Sequence, residues 1–199
     1  MSKITMKPIL FAALALLPSP AWAHTGHGDA SGLVHGMMHP LGGLDHILAM
    51  VLVGILAVQL GSRAIWILPA SFLTVMGLSG LLGMSGIELP FVEWGIILSV
   101  VVLGGLVASG FAAPVPVAAA LVGLFAIFHG YAHGAEMPGT ADGVAYGMGF
   151  IAATALLHAA GIGIGALLVR LTRSRGLALA RWVGSAASLT GLALLAGLA

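Results

Sequence analysis

The stretch HPLGGLDHILAMVLVGILAVQL, residues 39–60, places two histidines and an aspartate at the start of a run that is otherwise apolar. An unpaired charge at the centre of a bilayer costs about 2.5 kcal/mol or more on insertion scales. Ionisable residues within membrane segments are therefore rare, and they tend to mark ion pathways or ligand sites. The apolar part of the stretch predicts a membrane helix, and the presence of Asp45 calls for a function.

The composition indicates a protein that crosses the bilayer several times. Of its 199 residues, 60% are hydrophobic and only 7% are charged, and apolar blocks recur along the chain. We therefore expect an all-α polytopic membrane protein. The absence of cysteine excludes disulfides, cysteine zinc sites and cysteine nucleophiles. The net charge of +1 gives no indication of nucleic-acid binding, and the sequence contains no GxxxxGK[ST] loop for ATP hydrolysis.

The first 23 residues have the pattern of a secretory signal peptide. Lys3 and Lys7 precede a short apolar run at residues 9–17, and Ala-Trp-Ala at residues 21–23 matches the cleavage pattern. Nine apolar residues span only about 14 Å as a helix, against a bilayer core of about 30 Å. We expect cleavage after Ala23, with an uncleaved anchor as the alternative. A periplasmic histidine-containing segment at residues 24–38 and a six-helix transmembrane permease domain at residues 39–199 would follow.

The rest of the chain can be divided into six membrane spans. The uncharged stretch at residues 94–135 is too long for one span at about 1.5 Å per residue. Gly110 and the Pro114-Val-Pro116 sequence predict a break within it. The expected spans are residues 41–60, 64–84, 91–109, 116–132, 143–169 and 182–198.

The arginines indicate how these spans are oriented, because short cytoplasmic loops are enriched in Lys and Arg. If the mature N-terminus lies outside, the first and last cytoplasmic loops contain Arg63, Arg170, Arg173, Arg175 and Arg181. The outer loops then contain only acidic charges, at Glu88, Glu93, Glu136 and Asp142. The pattern predicts that both termini are periplasmic.

A second polar stretch, FHGYAHGAE at residues 128–136, lies at the end of the fourth span. His129 and His133 are four residues apart and Glu136 follows three residues later, so a continuing helix would place all three on one face. In the first span, Pro40 suits the first helical position. His39 and His46 are seven residues apart and would share a face of that helix, with Asp45 beside them.

Both clusters lie at the outer ends of their spans and together predict a site for a divalent metal ion. Imidazole nitrogen with carboxylate oxygen, and no thiolate, suits Ni²⁺, Co²⁺ or Zn²⁺. Asp45 is either a direct ligand or a partner that holds a histidine in one tautomer. The predicted metal-site residues are His39, Asp45, His46, His129, His133 and Glu136.

Five further residues are weaker candidates for metal binding. His158, near the middle of the fifth span, is either a deeper ligand or an ordinary interhelical hydrogen-bonding histidine. Met50, one turn below His46, is more simply explained by packing. His24 and His27 could capture metal outside the membrane or belong to a polar tail, and the same alternatives apply to His35.

The spacing His39-(five residues)-Asp45-His46, the sequence FHGYAHGAE, the signal peptide and the six spans together resemble the HupE/UreJ family of nickel and cobalt permeases. The similarity covers the whole chain, with no departure within either motif. It implies a bacterial inner-membrane transporter without enzymatic activity or prosthetic group, which supplies nickel for hydrogenase or urease, or cobalt for cobalamin. It also implies that the six predicted metal-site residues are the family's functional positions. The choice of metal, the coupling to protons and the oligomeric state stay open.

Two other classes of protein share some of these features. Six spans with Ser79 and Ser85 in GxSG sequences are reminiscent of rhomboid-like intramembrane proteases, but the serines lie in the second span and His158 in the fifth. The protease resemblance would require the fourth and sixth spans. A b-type cytochrome would use the histidines to bind haem, and it would leave Asp45 and Glu136 without a function.

Overall fold

The computed structural model describes residues 32–139, 142–170 and 173–197, and all regular structure in these parts of the chain is helical. The helices are α1 (Gly32–Met38), a 3₁₀ turn (His39–Leu41), α2 (Leu44–Leu60), α3 (Ala64–Met84), α4 (Val92–Ser109), α5 (Val115–Ala135), α6 (Gly143–Arg170) and α7 (Arg173–Leu195). The all-α fold expected from the sequence is confirmed. The predicted signal peptide at residues 1–23, His24 and His27 lie outside the described residues.

Five helices are long and apolar enough to cross a membrane by themselves. They are α3, α4, α5, α6 and the Ala178–Leu195 part of α7. A sixth crossing is obtained if Gly32–Leu41 and Leu44–Leu60 form one span, which is bent by 82° at its break. The described part of the chain thus has five to six candidate spans, in agreement with the multi-pass architecture.

The first span differs from the expectation, because its helix begins at Leu44 rather than at Pro40. Pro40 belongs to the 3₁₀ turn, and Gly43 precedes α2 in an extended conformation, with φ −108° and ψ 124°. Two successive glycines disfavour helix by about 1 kcal/mol each relative to alanine, which explains a break at this point. His39 and His46 therefore do not share the face of one helix, contrary to the sequence prediction.

The break predicted between the third and fourth spans is confirmed. Gly110 ends α4 in a left-handed conformation, with φ 66°, and Pro114 directly precedes α5. The last helix begins earlier than residue 182, so Arg181 lies within α7 and not in a loop. Its exposed guanidinium lies beside Gly110, the residue that ends α4. One guanidinium nitrogen is 3.8 Å from the position that a Cβ on Gly110 would take.

Glycines let four helix pairs pack backbone against backbone, namely α3 with α5, α4 with α7, α2 with α6, and α1 with α6. A Cβ on Gly130 of α5 would lie 2.1 Å from the Met76 carbonyl oxygen of α3. A Cβ on Gly161 of α6 would lie 2.2 Å from the Val51 carbonyl oxygen of α2. Small residues at such crossings allow membrane helices to approach closely, which is the packing expected from the glycine content.

Successive helices are joined by short connections, so they run back and forth between the two ends of the bundle. At one end, which we call the site end, α2, α4 and α6 begin and α3 and α5 finish. The site end contains both predicted histidine clusters. Arg63, before α3, and Arg170, the last residue of α6, lie at the opposite end.

The contact between α2 and α6 can be tested with two glycines of α6. We expect Gly161→Ala to lower the melting temperature of the purified protein by several degrees. Its new methyl group would overlap the Val51 carbonyl, and overpacking typically costs about 1–3 kcal/mol. Gly163→Ala is the matched control, because a Cβ there meets nothing within 4 Å. Equal melting temperatures for the two variants would contradict the close approach of α2 and α6.

Candidate metal centre

Three side chains converge at the mouth of the site end, and we call His39, His133 and Glu136 the outer group. Their ligand atoms all lie within 4.8 Å of one another. His39 comes from the 3₁₀ turn, whereas His133 and Glu136 come from the last turn of α5 and the residue that follows it. Two imidazoles and a carboxylate are a donor set that Ni²⁺, Co²⁺ and Zn²⁺ accept.

The carboxylate of the outer group is held in its charged form. Nε2 of His39 lies 2.8 Å from Oε2 of Glu136, with the two side chains 34% and 55% exposed. This hydrogen bond is the main cause that lowers the pKa of Glu136 below its usual value. A negative charge just beyond the C-terminus of a helix is otherwise unfavourable, so the His39 contact stabilises it. The oxygen is thus available to a cation at neutral pH.

Asp45 is placed to orient His46. Its Oδ1 accepts a hydrogen bond from the backbone N–H of His46 at 2.8 Å and lies 3.0 Å from Nδ1 of the same residue. Nε2 of His46 is buried and has no hydrogen-bond partner among the described residues. A carboxylate on one ring nitrogen selects the tautomer that leaves the other nitrogen free to bind a metal.

The four predicted site histidines form one continuous row of imidazole rings. Ring centroids are 4.7 Å apart for His39 and His133, 4.4 Å for His133 and His46, and 4.6 Å for His46 and His129, all edge to face. His133 is 2% exposed and His129 is fully buried. The two sequence motifs, 80 or more residues apart, are therefore brought together, and the row leads from the outer group towards the bundle interior.

A pocket of about 360 Å³ opens beside this row. Its lining includes Asp45, His46, Glu136 and a third carboxylate, Glu93 from the first turn of α4. The sequence analysis counted Glu93 only as an outer charge. Glu93 lies at the start of a helix that begins at the site end, and this position was the signal that could have identified it as a residue of the pocket.

Helix α6 supplies one wall of the site, which the sequence analysis also missed. Tyr146 lies 6.1 Å from His39 and Phe150 lies 4.0 Å from His133, measured between ring centroids. Thr154 and His158 follow at the same four-residue spacing, and all four are buried. The four-residue spacing from Tyr146 to His158 could have revealed this buried face of α6 in the sequence.

The weaker candidates are placed differently from one another. His158 is 1% exposed, lies 5.1 Å from the ring of Phe72, and has no hydrogen-bond partner on either nitrogen within the described ranges. The same Phe72 ring lies 5.6 Å from His129, so it neighbours both histidines. Met50 is fully buried in the apolar core, which agrees with the packing role that the sequence suggested for it. His35 is exposed on α1.

The fold and the site define a class of protein, a multi-pass helical membrane protein with histidines and carboxylates gathered at one end of its helices. The model of the HupE / UreJ protein family matches residues 12–194. The chain is 50% identical over 197 residues to Protein HupE of Rhizobium leguminosarum bv. viciae, which covers 98% of both chains. It belongs to the HupE/UreJ family of nickel/cobalt transporter-type proteins, and the resemblance seen in the sequence is confirmed. No solved structure matches the chain.

The approach of Asp45 to the backbone before α2 gives a test of the site geometry. A Cβ on Gly43 would lie 2.7 Å from Oδ1 of Asp45 and 3.1 Å from Nδ1 of His46. We expect Gly43→Ala to displace this pair and to weaken Ni²⁺ binding to the purified protein about tenfold or more, the usual loss when an orienting partner moves. Gly147→Ala serves as control, because a Cβ there meets nothing within 4 Å. Unchanged binding in Gly43→Ala, measured by calorimetric titration, would show that the Asp45–His46 geometry does not matter for the ion.

Proposed function

We propose that this protein transports Ni²⁺ or Co²⁺ across the bacterial inner membrane into the cytoplasm, through the histidine and carboxylate site. The observation that carries the proposal is the convergence of His39, His133 and Glu136 from two distant segments at one end of apolar helices. Membership of a nickel/cobalt transporter-type family supports the substrate class. The cation is the cargo of this site and not a resident cofactor.

The distribution of arginines supports the direction of transport. Arg63 and Arg170 lie at the end of the bundle opposite the site, and short cytoplasmic loops are enriched in such residues. The site end then faces the periplasm, where the cation arrives, and both termini are periplasmic. A signal peptide cleaved after Ala23 is consistent with this orientation.

The arrangement of the ligands supports a selective filter without ATP hydrolysis. The outer group replaces part of the water around the ion with nitrogen and oxygen ligands. The row of rings through His133 and His46 to His129 offers further nitrogens deeper in the bundle, and the Phe72 ring lies near both His129 and the buried His158. A conducted ion must be held well enough to enter and weakly enough to leave. Facilitated diffusion and secondary coupling to protons both fit this arrangement, and ion flux into liposomes with and without a pH gradient distinguishes them.

The structure favours neither alternative class of protein. Ser79 donates its hydrogen bond to the Ile127 carbonyl and Ser85 donates to the Leu82 carbonyl, and neither contacts a histidine of the described chain. The site histidines touch one another edge to face, which leaves no gap for a porphyrin plane between neighbouring rings. Ser79 is buried and Ser85 is exposed, and a hydrogen bond from serine to a helix carbonyl is ordinary in a helix.

Two histidine variants test the site directly. We expect His133→Ala and His46→Ala each to lower Ni²⁺ uptake by cells at least tenfold, because His133 is shared between the outer group and the row, and His46 continues the row. Protein levels in the membrane should match the wild type. The control is Ser85→Ala, an exposed serine that bonds a helix carbonyl, which should keep normal uptake. Normal uptake in either site variant at matched protein level would remove that residue from the ion path.

Proton competition gives a second test of the histidine ligands. An imidazole binds metal only when it is neutral, and its reference pKa is about 6.5. Acidifying the outside alone from about pH 7.5 to 5.5 should therefore lower uptake, more steeply at limiting than at saturating metal. Glu136 stays charged across this window because its pKa is lowered, so the loss would come from histidine. Uptake that rises steadily on external acidification would instead indicate that the inward proton gradient drives transport.

A further inference from the structure

The innermost histidine of the row, His129, has a partner that lies outside both sequence motifs. Ser99 of α4 places its hydroxyl oxygen 2.9 Å from Nε2 of His129. Both side chains are fully buried. A polar contact in such an apolar place needs an explanation, because burying polar groups is costly unless they are hydrogen-bonded.

The hydrogen bonds of Ser99 decide which ring nitrogen of His129 carries the hydrogen. The hydroxyl has a single hydrogen, which it donates to the Ile96 carbonyl at 2.6 Å. Oγ then accepts from His129, so Nε2 is the protonated nitrogen. In a neutral imidazole the lone pair is then on Nδ1. Nδ1 of His129 is buried and has no hydrogen-bond partner among the described residues.

In the neighbouring His46 the two ring nitrogens have the opposite roles, because Nδ1 has the protein partner and Nε2 has none in the described chain. Asp45 occupies Nδ1 of His46 at 3.0 Å, and Nε2 of His46 is buried without a partner. The rings of His46 and His129 are 4.6 Å apart. Two adjacent imidazoles thus each have one nitrogen held by the protein and one nitrogen free.

We propose that Ser99 is a positioning residue that fixes His129 in the tautomer protonated on Nε2, and so makes Nδ1 a ligand of an inner cation position shared with Nε2 of His46. This inference rests on the proposed function and deepens it. The cation leaves the outer group, which includes a carboxylate, for a position with imidazole nitrogens only. Removing a group that orients a metal-binding histidine typically costs about 10–100-fold in affinity or activity.

Uptake of Ni²⁺ into liposomes tests the effect on transport. We expect Ser99→Ala to lower the maximal rate about tenfold or more, while the Ni²⁺ concentration at half-maximal rate changes less than about threefold, because the outer group still captures the ion. Ser99→Thr, which keeps a hydroxyl, should restore most of the rate. Ser79→Ala is the matched control, since Ser79 is also buried and donates to a helix carbonyl, and it has no hydrogen bond to a histidine of the described residues.

The tautomer itself can be measured on the metal-free protein by ¹⁵N NMR of its histidine side chains, with His129 assigned from its loss in His129→Gln. The wild type should show a protonated Nε2 and an unprotonated Nδ1, and Ser99→Ala should show a mixture of tautomers. This readout decides the proposal even if Ser99→Thr does not fold. A hydrogen on Nδ1 in the wild type, or uptake by Ser99→Ala equal to that of Ser79→Ala, would overturn it. A wild type that takes up neither Ni²⁺ nor Co²⁺ would overturn the proposed function, while the NMR result would stand independently.

Discussion

One constraint governs the arrangement of the site. An imidazole nitrogen that is buried in an apolar bundle without a hydrogen-bond partner raises the free energy of the folded protein. His46, His129, His133 and His158 each have at least one buried ring nitrogen with no hydrogen bond in the described chain. A buried polar group without a partner typically costs about 1–3 kcal/mol, and most proteins therefore satisfy such groups. Four such side chains in the described part of one small protein support the proposed function, because a divalent cation can bind the unprotonated nitrogen of each ring.

The close packing of the helices makes that arrangement possible. Gly130 and Gly134 alternate with His129 and His133 on α5, and a Cβ on either glycine would lie about 2 Å from a carbonyl oxygen of α3. One side of this stretch is therefore used for direct contact with α3. The histidine rings meet other helices as well. His133 contacts His46 of α2 and Phe150 of α6, and His129 contacts His46 and Ser99 of α4. The same short motif thus contributes both the close contact with α3 and two histidines of the row.

The class of fold and the two histidine-containing motifs of the candidate site could be recognised in the sequence because both depend on local patterns. Apolar length predicts a span, and the four-residue spacing of His129 and His133 predicts a shared face. Ser99, Glu93 and Tyr146 were missed because their relevance depends on which helices are neighbours. A lone serine in an apolar helix carries no sign of the histidine that it contacts. Only the packing of α4 against α5 brings Ser99 to His129.

The break before α2 was also missed, and it changes the geometry of the candidate site. On a continuous helix His39 and His46 would lie about two turns apart along the axis. In the structure the chain bends by 82° at this break, and the ring of His133 contacts both histidines, with centroids 4.7 Å and 4.4 Å away. His39 is thereby moved beside Glu136 and becomes part of the outer group. Since His133 belongs to the outer group and also touches His46, one side chain links the outer group with the row that leads inward. A straight first span would have kept the same residues, and His133 would not have contacted both histidines in this way.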